Sequence, residues 1–94
     1  MTDSLTRRVS QPEHVLLQEV NGESVLVNLN TEHYFGLDDV GTSMWAALTS
    51  SPSIHHAYER LLAEYAVAPD QLRRDLLELL QQLVEHGLVQ LSEA

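Results

Sequence analysis

The segment from residue 29 to residue 45 constrains the fold more than any other part of the chain. A run rich in aromatic and apolar residues, Glu32 to Leu37, leads into Asp38, a residue type that favours a helix N-cap. Apolar residues then recur at helical spacing, at Val40, Met44, Trp45 and Leu48. The pattern predicts a strand, a cap and a helix in direct succession, with no candidate catalytic group between them.

Two more strands are predicted before this segment. The runs His14 to Val20 and Glu23 to Leu29 are rich in Val and Leu, and Asn21-Gly22 joins them. An Asn-Gly pair tolerates the positive φ angles of a type I′ turn, so these runs are expected to form a hairpin. With a second short turn at Asn30-Thr31, the three strands would make an antiparallel meander.

Three helices are predicted after the meander. The first runs from near Asp39 to Leu48, and Ser53 is suited to cap the second. Pro69 fits the first position of the third helix, and Gly87 fits the left-handed residue that ends it. Because a small sheet must pack its apolar face on helices, the predicted fold class is α+β. The arrangement is winged-helix-like, with a three-stranded antiparallel sheet followed by three helices.

The chain is expected to form one domain. Residues 1–13 are polar and show little periodicity, which predicts a flexible N-terminal arm, and residues 14–91 form the predicted domain. The chain has no cysteine, no apolar run long enough to span a membrane and no secretory signal at its N-terminus. These features predict a cytoplasmic protein.

Charge argues against nucleic acid and against anionic membranes as partners. Fourteen acidic residues stand against five arginines, which gives a net charge of −9 with neutral histidines. Proteins that bind nucleic acid gain much of their affinity from a clustered basic surface. The predicted third helix instead mixes Arg73 and Arg74 with several acids, so a winged-helix transcription regulator is the less favoured alternative.

The sequence shows no constellation for catalysis, metal binding or a cofactor. None of the five histidines is spaced for joint coordination of a metal, and Ser43 is not in a nucleophile-elbow motif. The four glycines match neither a dinucleotide-binding loop nor a phosphate-binding loop. Helix capping accounts for Asp38 and Asp39 better than acid–base chemistry does. We therefore predict a recognition module without a cofactor, and not an enzyme.

The third predicted strand offers a surface for binding. Its neighbours Tyr34 and Phe35 must point to opposite sides of the sheet, and Phe35 shares its face with Leu37. A short polar edge could simply be protected from aggregation, or it could accept a peptide as an additional strand. On the third helix, Arg73, Leu77 and Val84 lie on a flank next to the leucines that face the core. The apolar side of this helix is therefore wider than packing against the core alone requires.

Two segments resemble the PqqD-like proteins. They are Val27 to Trp45 (VNLNTEHYFGLDDVGTSMW), followed by Ala46-Ala47-Leu48, and Leu79 to Val89 (LLQQLVEHGLV). The resemblance implies a recognition element that binds the leader segment of a ribosomally made precursor peptide. It also implies that the leader adds as a strand beside the third strand and lies against the third helix. The implied peptide-binding residues are Glu32, His33, Tyr34, Phe35, Gly36, Leu37, Arg73, Leu76, Leu77 and Leu80.

The resemblance also implies partner enzymes, which differ between branches of the family. Free-standing lasso-peptide B1 proteins deliver the precursor to a leader protease and an ATP-dependent cyclase. PqqD itself serves pyrroloquinoline quinone synthesis beside a radical-SAM enzyme. The Tyr-Phe-Gly-Leu-Asp motif, followed by Val-Gly, is more similar to the free-standing lasso type or to a generic member of the family. We therefore expect a B1-type leader-binding protein, with the PqqD-type chaperone as the alternative.

Overall fold

The computed structural model describes residues 4–93, which fold into two small antiparallel sheets and three helices. After a short 3₁₀ turn, the elements are β1 (Arg7–Ser10), β2 (Val15–Val20), β3 (Glu23–Asn28), β4 (His33–Leu37), α1 (Asp39–Ser50), α2 (Ile54–Glu64), α3 (Pro69–Glu85) and β5 (Gln90–Glu93). Strands β2, β3 and β4 form one sheet in that order, and the three helices follow it. This arrangement confirms the predicted α+β fold class.

The turn between β2 and β3 has the geometry predicted from its sequence. Asn21 and Gly22 have φ angles of 54° and 84°, the left-handed values that a type I′ turn requires at both central positions. The pairing runs from Val15 opposite Asn28 to Val20 opposite Glu23. The two strands therefore form a tight hairpin.

The turn before β4 is built around Asn28, and because of it the strand starts one residue later than the sequence predicts. The side-chain oxygen of buried Asn28 accepts hydrogen bonds from the backbone N–H groups of Asn30 (2.9 Å) and Thr31 (3.3 Å). Glu32 closes the turn with a φ of 63°, a left-handed conformation that is incompatible with an extended strand. The strand was predicted to start at Glu32, but it starts at His33, and Glu32 belongs to the turn.

Most helix ends form where the sequence predicts them. The Asp38 carboxylate accepts a hydrogen bond from the Gly41 N–H at 2.7 Å, and the Ser53 hydroxyl accepts one from the His56 N–H at 3.2 Å. Pro69 is the first residue of α3, and Gly87, with a φ of 68°, follows its C-cap. Helix α1 extends to Ser50, two residues beyond the predicted end.

The N-terminal segment differs from the predicted flexible arm. Arg7–Ser10 pair with Gln90–Glu93 as a second, two-stranded sheet, and Val9, opposite Leu91, is only 1% exposed. A four-residue strand with one buried side chain is too short to produce a readable periodicity, which explains the difference. Residues 1–3, also within the predicted arm, lie outside the described residues.

The core lies between one face of the three-stranded sheet and the three helices. Leu26 at the centre of β3 is fully buried there, whereas its neighbours Val25 and Val27 point to the opposite, outer face. The helices contribute Trp45 and Leu48 from α1, Ile54 and Leu61 from α2, and Leu72, Leu76, Leu80 and Leu83 from α3.

Among residues 4–93, none of the helices has the length and apolar character needed to cross a membrane.

Candidate functional site

Strand β4 lies at an edge of the three-stranded sheet. It pairs with β3, from Ser24 opposite Leu37 to Asn28 opposite His33. Within residues 4–93, no strand pairs with its other side. Alternate backbone N–H and C=O groups of β4 therefore point away from the sheet, where another strand could pair with them.

The two faces of β4 differ in their surroundings. Leu37 is buried and Phe35 is half-buried on the inner face, which points toward the helices. Tyr34 and Gly36 point to the outer face, and Tyr34 is 74% exposed. A strand added to β4 would thus place alternate side chains on each side of the sheet.

The C-terminal end of α3 is fixed to the sheet near β4. The carbonyl of His86 accepts a hydrogen bond from the side-chain amide of Asn28 at 3.0 Å. The carbonyl of Gly87 accepts one from His14 Nε2, also at 3.0 Å. The His86 ring lies edge-on to Phe35, with the ring centroids 5.2 Å apart. Together these contacts place the end of α3 beside the inner face of β4.

The N-terminal half of α3 lies beside the start of α1, the helix that directly follows β4. A cavity of about 100 Å³ lies there between the three helices, and its lining residues are Val40 and Met44 of α1, Leu61 of α2, Tyr65 and Val67 of the segment after α2, and Gln71, Leu72 and Asp75 of α3. Asp75 and His86 are 11 positions apart, so their directions around the helix axis differ by only about 20°. One side of α3 therefore faces both α1 and β4.

We call this side of α3 the cleft stripe, formed by Asp75, Leu79, Gln82 and His86. Its spacing of four, three and four residues keeps all four positions on one line along the helix. Leu79 is half-buried and packs against the core, as does Phe35 of β4. The space between β4 and the cleft stripe, hereafter the cleft, thus has an apolar floor next to an unpaired strand edge.

The structure brings only part of the predicted site together. Glu32, His33, Tyr34, Phe35, Gly36 and Leu37 all lie in or directly before the edge strand. Leu76 and Leu80 are core residues, only 1% and 7% exposed. Arg73 and Leu77 point about 160° away from Asp75 around the helix, and so lie on the opposite flank of α3.

The cleft stripe lies outside the site that the sequence predicts. Asp75, Leu79, Gln82 and His86 are all absent from the predicted peptide-binding residues. Their spacing was a usable signal for a shared stripe. The apolar arc of α3 is wide, however, and only the three-dimensional structure shows which of its two flanks faces β4.

The outer face of the sheet carries exposed apolar side chains. Exposed Leu16, half-buried Val27 and exposed Tyr34 form one row across the three strands, and exposed Val25 lies in the next row. Antiparallel sheets with one solvated face usually place polar residues there, so this row is unusual.

Within the described residues, no group of histidine and acidic side chains could hold a metal ion.

Comparisons with known proteins give a consistent result. TbiB1, in a structure with the TbiA(beta) leader peptide, has a TM-score of 0.79 and 31% identity, and the match covers 86% of this chain and 94% of TbiB1. A lasso peptide synthetase B1 complexed with a leader peptide has a TM-score of 0.78 at 20% identity, covering 88% and 98%, which shows a shared fold. A search of curated proteins gave no match.

A family model gives the assignment directly. The model of coenzyme PQQ synthesis protein D (PqqD) matches residues 23–89, which include strands β3 and β4 of the three-stranded sheet and all three helices. This match confirms the resemblance drawn from Val27 to Trp45 and from Leu79 to Val89. The chain belongs to the PqqD family.

Proposed function

We propose that this protein binds the leader segment of a ribosomally made precursor peptide and presents the peptide to modifying enzymes. The observation that carries the proposal is the unpaired edge of β4, whose Phe35 contacts His86 at the end of the cleft stripe, where Leu79 is also partly buried against the core. The similarity to TbiB1, which was solved with a leader peptide, supports the same function.

The geometry suggests how the leader binds. Its backbone pairs with the free edge of β4, and each main-chain hydrogen bond contributes about 0.5–1.5 kcal/mol. Every second side chain of the leader enters the cleft and contacts Phe35, Leu79 or His86. The intervening side chains lie on the outer face, beside Tyr34 and Gly36. The protein's role is recognition, and it needs no catalytic group or cofactor of its own.

The same proposal includes the partner enzymes. In a lasso-peptide pathway they would be a leader protease and an ATP-dependent cyclase, acting in the cytoplasm, where the precursor is made. The outer-face row of Leu16, Val27 and Tyr34, in which Leu16 and Tyr34 are exposed, supports contact with a second protein, because apolar patches of this kind commonly mark interfaces. A bound leader would extend this row by one strand.

A second candidate is the PqqD-type chaperone of pyrroloquinoline quinone synthesis, which works beside a radical-SAM enzyme. The match to the PqqD family model favours it. The lasso type is preferred because both similar solved structures are B1 proteins complexed with leader peptides: TbiB1, at 31% identity, and a lasso peptide synthetase B1. Genes next to this one discriminate between them, since a protease and an asparagine-synthetase-like cyclase indicate the lasso pathway.

The proposal predicts direct binding of the leader. A fluorescently labelled synthetic leader of the precursor encoded next to this protein should bind with a micromolar or lower Kd in a fluorescence polarisation titration. The matched control is a peptide of the same composition in scrambled order, which should bind far more weakly. Equal affinity for the two peptides, or no binding of either, would contradict the proposal.

A further inference from the structure

The cavity at the α1 end of the cleft combines apolar walls with one carboxylate. Met44 and Leu72 are buried at its base, whereas Val40 and Val67 are more than two-fifths exposed. Tyr65 forms another wall, and its hydroxyl donates a hydrogen bond to Ser43 at 2.8 Å, which fixes the ring. At about 100 Å³, the cavity has room for about three waters, or one branched aliphatic side chain.

The carboxylate at this cavity is held in place, and it has no cationic partner among residues 4–93. The Gln71 side-chain amide donates to both oxygens of the Asp75 carboxylate, at 3.0 Å and 3.2 Å. The ion pairs found within residues 4–93 join Arg7 to Glu93 and His55 to Glu59, and neither includes Asp75. Arg73 and Arg74, the arginines of α3, point about 160° and 100° away from Asp75 around the helix.

The surrounding charge is also acidic. Asp39 precedes Val40 in the first turn of α1 and is exposed. Residues 14–39 contain no lysine or arginine at all. A peptide that enters this end of the cleft therefore meets negative charge beside an apolar cavity.

We infer that this cavity is a leader subsite that takes an aliphatic side chain from a peptide carrying a lysine or arginine next to it, paired with Asp75. The inference rests on the proposed function, because the occupant is the same leader that pairs with β4. A second copy of this chain fits poorly, since it would bring one acidic surface against another. The leader of the cognate precursor is thus expected to carry a basic residue beside an aliphatic one.

The test compares two variants with the same change of charge on the same helix. Asp75→Asn should weaken binding of the synthetic leader by about threefold to fivefold at low salt, which is the range expected for an exposed ion pair. At high salt, the Kd values of this variant and of the wild type should become equal, because salt screens the ion pair. Asp70→Asn is the matched control, because Asp70 points about 140° away from Asp75, and it should leave the Kd unchanged. Thermal unfolding of both variants checks that they remain folded.

A charge exchange provides the second arm of the test. Asp75→Lys should weaken binding of the natural leader further, and a leader with its basic residue replaced by glutamate should bind this variant better than it binds the wild type. Val67→Trp, which fills the mouth of the cavity from an exposed position, should also weaken the natural leader.

The outcomes separate this inference from the proposed function. If the leader binds the wild type and the Asp75 variants equally well, the subsite is refuted and leader binding by the cleft stands. A cognate leader without a basic residue beside an aliphatic one would also overturn it. If no leader binds the wild type, the proposed function fails, and the subsite fails with it.

Discussion

Replacing Leu79 with glutamine is expected to weaken leader binding at least tenfold, about 1.4 kcal/mol. Leu79 is half-buried on the cleft stripe, where an inward-pointing side chain of the leader would contact it. Glutamine keeps a similar length but places an amide at an apolar contact, where it loses its hydration without gaining a partner. The measurement is a fluorescence polarisation titration of the synthetic leader.

The matched control for this variant is Leu77→Gln. Leu77 is also a half-buried leucine of α3 that packs against the core, but it lies about 160° from Leu79 around the helix. Its replacement should reduce stability by a similar amount and change the Kd by less than about twofold. A larger loss of affinity in Leu77→Gln than in Leu79→Gln would show that the opposite flank of α3 binds the leader.

Replacing Asn28 with leucine is expected to lower the free energy of unfolding by about 3 kcal/mol. The Asn28 side chain is buried and makes three hydrogen bonds, two within the turn before β4 and one to the carbonyl of His86. Leucine has a similar size but leaves these backbone groups without their partner. Urea unfolding followed by circular dichroism measures the change.

Asn30→Ala is the control for this prediction, because Asn30 belongs to the same turn but is exposed. Its effect should remain within about 0.5 kcal/mol. Because Asn28 connects the turn before β4 to the end of α3, Asn28→Leu should also reduce leader affinity at temperatures where the protein is still folded. A loss of stability below about 1 kcal/mol would contradict the role assigned to Asn28.

Much of the fold could be predicted because its signals are local. Asn21-Gly22 requires a tight hairpin, Asp38 and Ser53 cap helices, and Pro69 and Gly87 delimit the third helix, all as the structure shows. The N-terminal strand could not be predicted in this way. Arg7–Ser10 become a strand only because Gln90–Glu93, at least 80 residues later, supply the partner.

The candidate site was predictable on its strand side and not on its helix side. Alternation along β4 assigns Phe35 and Leu37 to one face and Tyr34 to the other, because a strand has only two faces. A helix presents a continuous range of directions, and α3 has apolar residues over a wide part of it. Leu77 and Leu79 lie on opposite flanks of this apolar arc, and only contacts such as that of His86 with Phe35 show which flank faces β4.

The most direct test of strand addition at β4 is a scan of the leader by backbone N-methylation, one residue at a time. Methylation removes one N–H donor and leaves the protein and the leader's side chains unchanged. If the leader pairs with β4, affinity should fall about fivefold or more at every second position along the paired segment, and much less at the positions between. Uniform tolerance, or losses without this alternation, would contradict pairing of the leader with the edge of β4.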